Sequence, residues 1–234
     1  MRKIALPLLL VSLLLISTGC TNPYNPYWFR SLDEMKSYTA NKMLYPDELP
    51  IDAVFTATYG FNHTSTGAWD YVIDYRCYDS SQTDTLLDEV IGRLTEGYPV
   101  VKSIEINATE MENRARGRLV PDMTREKEEY ERFAASGAAK WEIYGVSVAY
   151  RSSLSADFIS RDNLISTADT SSTDDAGNES EYIIYLTMDA YAAFMYYGVL
   201  YTVNLKLISH RNETMEEMFI AVDILKGIVS GMIT

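Results

Sequence analysis

Apolar and polar positions alternate most clearly between Trp69 and Tyr78. There Trp69, Tyr71, Ile73, Tyr75 and Cys77 interleave with Asp70, Val72, Asp74 and Arg76. A period of two is the mark of a half-buried strand. Strand chemistry is also predicted for Ile51–Tyr59, Val100–Ile106, Trp141–Tyr150, Tyr182–Met188, Tyr191–Tyr197 and Val199–Ile208, the last two joined around Gly198. Helical periods fall between them. Ser31 with Glu34 forms a capping box that opens SLDEMKSYTA. Asp84–Glu96 carries the stripe Leu86, Leu87, Val90, Ile91, Leu94 and ends at Gly97, while Glu126–Ala135 reads as a solvated helix. Thr214 with Glu217 caps a closing helix whose stripe is Met218, Phe219, Val222, Leu225 and Val229. Phe219 is predicted to be buried against the strand face of Val199, Tyr201, Val203, Leu205 and Leu207. The Ser, Thr, Asp and Gly-rich stretch 164–180 is predicted to be a mobile loop. Hairpin-spaced strands with interspersed helices imply an α+β fold, a mainly antiparallel sheet with helices packed on one face, in a single domain over 31–234.

The first residues follow a different logic. Arg2 and Lys3 are basic, Ile4–Ile16 is apolar but too short to span a bilayer, and the small residues Ser17-Thr18-Gly19 lead directly to Cys20. This layout resembles the bacterial lipoprotein signal. The resemblance implies cleavage after residue 19 and acylation of Cys20, with chains such as palmitate as the anchor. Two acyl chains hold a protein stably where one does not. Residues 20–30 are then a short tether, and Tyr27, Trp28 and Phe29 either touch the membrane interface or lie on the domain.

Charge and cysteine content narrow the partners. Losing Arg2 and Lys3 with the signal moves the formal charge from −13 to −15, which excludes nucleic acid and gives anionic lipid heads nothing to attract. With Cys20 acylated, Cys77 has no partner in the chain, so no internal disulfide forms. Its place on the strand face with Trp69 and Tyr75 predicts a buried, inert thiol.

Chemical motifs are sparse. GVSVA, 145–149, falls one residue short of a nucleophile elbow, and Ser147 sits in an unbroken strand pattern in place of the sharp turn that motif needs. His63 and His210 lack metal-ligand spacing, and the acidic loop of Asp169, Asp174, Asp175, Glu179 and Glu181 does not align with a calcium loop. No glycine-rich phosphate loop occurs, and no cofactor or metal is implied. Asp70 and Asp74 share a strand face and form a candidate acid/base pair, against the plainer reading of two solvated carboxylates. The 18 tyrosines, concentrated in strands, suit sheet packing or a ligand face for glycans or peptides.

The order SLDEM, LYPDELP, WEIYGVSVAY, YYGVLYTVNLK and EEMFIAVDIL resembles an envelope domain of unknown function from Gram-positive bacteria, found in lipoproteins and in the extracytoplasmic parts of anti-sigma-like membrane proteins. The resemblance runs from Ser31 to Val229, with 108–140 and 151–181 as insertions, and it carries no catalytic residues. The expectation is a lipid-anchored, non-enzymatic binding or sensing module for an envelope protein or glycan. An envelope hydrolase using the carboxylates is the alternative.

Overall fold

A computed structural model describes residues 27–39, 43–46, 49, 56–63, 67–76, 92, 100–113, 118–120, 123–160, 182–210 and 216–234. In chain order they form β1 (Tyr27–Phe29), α1 (Leu32–Tyr38), β2 (Thr56–His63), β3 (Trp69–Arg76), β4 (Val100–Glu110), β5 (Glu112–Asn113) and β6 (Arg118–Leu119). There follow α2 (Thr124–Ala135), β7 (Ala139–Ile143), β8 (Val146–Ser160), β9 (Tyr182–Tyr196), β10 (Val199–His210) and α3 (Glu216–Ile233). The predicted helix at Asp84–Glu96 lies outside the described residues except for Gly92, which is helical, and so do Cys77, 164–180 and Thr214.

One sheet of eight antiparallel strands dominates, in the order β1-β2-β3-β4-β10-β9-β8-β7. Alternation gives it a continuous inner face. Tyr71, Ile73 and Tyr75 of β3 sit opposite Ala108, Ile106 and Ile104 of β4, which in turn sit opposite Tyr201, Val203 and Leu205 of β10. Phe194, Ala192 and Ala190 of β9 complete the rows. Every one of these side chains is buried in a single cluster. Fully burying a large apolar side chain is worth about 1.5–3 kcal/mol, so this face is the main source of stability.

Two tyrosines fasten an irregular segment across it. Tyr71 and Tyr201 flank Ala108, whose small side chain leaves them room to reach the same residue. The Tyr71 hydroxyl donates to the Leu44 carbonyl at 2.6 Å, and the Leu44 N–H donates to the Tyr201 hydroxyl at 3.1 Å. Tyr45 stacks on Tyr71 at 5.3 Å and its hydroxyl meets Thr39 Oγ1 at 2.5 Å. Burial, with Tyr201 close by, pushes the Tyr71 hydroxyl well above the ordinary phenol range, so it remains a donor.

The capping box forms as predicted in kind: Ser31 accepts from the Glu34 N–H, and Glu34 reaches back to the Arg30 N–H at 2.9 Å. Met35 of α1 enters the inner core, as do Ala221, Leu225, Ile228, Val229 and Met232 of α3. The helix α2 has no buried residue, as a solvated helix should, but it does not share that face. Its Phe133 meets Tyr191 edge-on at 5.2 Å, and Tyr191 alternates with the inward Ala190 and Ala192. A small second cluster of Ala68, Met111, Val120, Met123 and Leu200, with Tyr130 of α2 and Met195 packed on it, belongs to the outer side.

Several boundaries differ from the predicted ones, among them the end of β4, which runs on from Ile106 to Glu110, and that of β8, which runs on from Tyr150 to Ser160. Trp141–Tyr150 is a hairpin, not one strand. Tyr144 and Gly145 both have positive φ, 47° and 80°, as a two-residue type I′ turn requires. Tyr197-Gly198 repeats the device at 48° and 78°. The segments Tyr182–Met188 and Tyr191–Tyr197 are one strand, because Asp189 faces outward at 4.0 Å from Lys206 Nζ and Ala190 fills a narrow inward position. The extended segment that was expected to end at Tyr59 runs on through Gly60 to His63. Tyr27–Phe29, placed in the tether by sequence, form the edge strand.

Phe219 is the clearest reversal. It is 66 % exposed, whereas Leu225, Ile228 and Val229 are fully buried. The apolar C-terminal half of α3 has more to bury, so it sets the rotation of the helix and turns Phe219 outward. Leu225→Ala should therefore cost about 2–5 kcal/mol through lost transfer energy and a cavity. Phe219→Ala should cost less than about 1 kcal/mol. Denaturant midpoints of the two full-length variants read the difference; equal losses would place both side chains in the core.

Candidate functional site

The outer face of β1–β4 holds a pocket that pairing register assembles. One row runs Asn62, Asp70, Thr109 across β2, β3 and β4, and the next runs Trp28, Gly60, Val72, Asn107 from β1 to β4. Together they line a cavity of about 200 Å³. This is smaller than the ~300–1,000 Å³ typical of a site that swallows a whole ligand, and suits a head group.

Gly60 explains how an aromatic wall can stand there. A Cβ at this position would sit 3.0 Å from Trp28 Cζ3 and 3.2 Å from Val72 Cγ1. Without one, the Trp28 ring settles against the sheet while remaining 64 % exposed. Its strand is fixed from the other side by rings. Tyr27 and Phe29 alternate inward and meet Tyr38 of α1 at 5.4 and 5.3 Å, and Tyr38 meets Phe61 at 5.4 Å.

The opposite wall is polar and rich in acceptors. Asp70 is half-buried, and burial raises its carboxyl above the ordinary aspartate range, opposed in part by a hydrogen bond from the Asn62 side chain. With its amide N–H₂ committed to that carboxylate, Asn62 leaves Oδ1 buried with no partner. A buried acceptor without a donor costs roughly 1–3 kcal/mol, a penalty that a ligand could relieve. The Asn107 amide is held by Glu105 at 2.7 Å on the adjacent row.

The structure separates the candidate acid/base pair. Asp70 lines the pocket; Asp74 does not, and lies in a row with Thr58 and Glu105. Four residues along a strand amount to ~13 Å. That exceeds the ~5–9.5 Å over which two carboxyl groups share one glycosidic bond. Ser147 is exposed near the start of β8, opposite Glu142. His63 ends β2, five strands away from β8 in the sheet order, and His210 ends β10 in the row of Tyr185 and Asp157, far along β8 from Ser147, so the sheet brings neither position to Ser147. Among the described residues no three His, Cys, Asp or Glu side chains gather as metal ligands. No family model, curated protein or solved structure matches this chain.

Asp70 was singled out from sequence for its carboxylate and Trp28 only as a ring for the membrane interface or the domain surface; Gly60, Asn62, Asn107 and Thr109 were not singled out. Their only shared property is register, which is nonlocal.

The shift at Asp70 has a testable sign. A carboxyl whose folded-state pKa is raised adds stability at pH values below its unfolded range, and loses it as the pH climbs through the folded value. Asp70→Asn should thus raise the thermal midpoint slightly at pH 7, and the gain should fade below about pH 4. A loss of stability at pH 7 would show that the carboxylate is held by a cation after all.

Proposed function

We propose that this chain is a lipid-anchored, extracytoplasmic binding module that offers the outer-face pocket of β1–β4 to a component of the cell envelope. The observation that carries this reading is the pocket itself, whose lining includes the exposed Trp28, the half-buried Asp70 and Asn62, the last with its Oδ1 unpartnered. In this reading α1 and α3 close the inner face and the ligand meets the other.

The sequence around Cys20 supports the anchor, and chain geometry supports the orientation. Six residues lie between Cys20 and Tyr27, and the seven steps from one to the other span no more than ~25 Å even fully extended. The pocket wall at Trp28 then rides close to the bilayer. Tyr27 enters the sheet near the end that carries the two Tyr-Gly turns, since Tyr27 is opposite Phe61 and the rows continue through Tyr201 and Phe194 to Val148. Tyr144 and Tyr197 at those tips are 71 % and 73 % exposed. Aromatic rings with polar tips favour the membrane interface, so this end is the one to face it. Among the described residues no helix is long and apolar enough to cross a membrane.

Replacing the anchor tests the reading. Cys20→Ala should abolish incorporation of radiolabelled palmitate and shift the protein from the membrane fraction to the soluble one, or leave an unprocessed precursor. A processed Cys20→Ala protein that still sediments with membranes would show that something other than lipid holds it.

A further inference from the structure

The pocket's chemistry narrows what it takes, if it is the ligand site just proposed. We propose that it binds a primary ammonium group on an aliphatic stem, of the kind carried by a lysyl side chain. Three features ask for the same occupant. Asp70 is a half-buried anion, and no cation among the described residues is paired with it. Asn62 lines the same cavity, and its Oδ1 is buried with no hydrogen-bond partner. Trp28, largely exposed, lines the same cavity, and an indole is the best of the aromatic surfaces for a cation.

A primary ammonium has three N–H donors and no acceptor, so it satisfies Asp70 and Asn62 Oδ1 together without orphaning any group of its own. A quaternary ammonium would leave Asn62 unsatisfied. A neutral hydroxyl would supply a donor but leave the carboxylate uncompensated. An anion attached beside the amine, as in a phosphoethanolamine head, is repelled by Asp70 itself, by Asp74 and Glu105 two rows away, and by an acidic chain. The apolar stem has a place against Val72 and the indole. At about 200 Å³ the cavity holds the head and a few methylenes, no more.

The test is a titration of full-length protein in detergent, followed by backbone NMR, with four probes: Nα-acetyl-lysine amide, its Nε-acetylated form, O-phosphoethanolamine and N-acetylglucosamine. The lysine amide should shift the resonances of Trp28, Asn62, Asp70 and Thr109. Acetylating the ε-amine should weaken binding roughly 10–100-fold, the value of one charged hydrogen bond, and Asp70→Asn should weaken it similarly. Gly60→Ala, which displaces the indole while keeping the carboxylate, should weaken the lysine amide less than Asp70→Asn does. Equal binding of the Nε-acetylated form would overturn the ammonium assignment, and tighter binding of phosphoethanolamine would overturn the lysyl one. If no amine binds but N-acetylglucosamine shifts the same residues, the ammonium inference fails and the binding-site reading survives. If every probe leaves these residues unmoved, both fail.

Discussion

Three residues, Tyr27 to Phe29, pair with Tyr59 to Phe61 at the edge of the sheet, and the candidate site exists only while they do. Ordering three residues costs roughly 3–6 kcal/mol of backbone entropy, more than a few ladder hydrogen bonds at about 1 kcal/mol each return. The balance is met by side chains on both faces. Inward, Tyr27 and Phe29 join Tyr38 and Phe61, each ring pair adding about 0.5–1.5 kcal/mol beyond its buried area. Outward, Trp28 lies on Gly60 and Val72, where any side chain at residue 60 would lift it. The same strand is thus the wall of the pocket, the cap on an edge that would otherwise invite foreign strands, and the junction with the proposed anchor.

That edge is supported from deep in the sheet. Tyr71 neighbours Asp70 in β3 and points the opposite way, where it and Tyr201 grip the Leu44 peptide. Tyr201 also stacks on Phe194 at 5.1 Å, which ties β3, β4, β10 and β9 into one buried row. A rigid inner face fixes the spacing of the outer one, because successive residues of a strand share a backbone. The pocket's polar groups therefore sit on strands whose opposite face is packed in the core, a condition for holding them to a useful geometry.

Local signals were legible in the sequence and nonlocal ones were not. The capping box at Ser31, the strand from Trp69, the solvated α2 and the turn at Gly198 all rest on patterns within a few residues. The turn at Tyr144-Gly145 hid inside an apolar run, although the same Tyr-Gly-Val triplet recurs at Tyr197. Tyrosine is not a usual occupant of positive φ, so the triplet lacks the Asn-Gly signature. Phe219 followed a valid helical period with the wrong phase, since rotation is set by whichever half of a helix buries more. For the site, Asp70 could be picked by its chemistry, but its partners lie 8 to 42 residues away along the chain, at Asn62 and Trp28, and on the next strand at Thr109. Asp74 looked equivalent because a strand face is periodic, while a pocket is not.

Amide hydrogen exchange at Tyr27–Phe29 in the full-length protein bears most directly on this edge, because pocket, orientation and tether all follow from its docking. Amides of this segment that face β2 should be protected, at a level comparable with those of β2 itself. Exchange at the rate of a free tail would mean that Trp28 is not held against Gly60, and the candidate site would lose its wall.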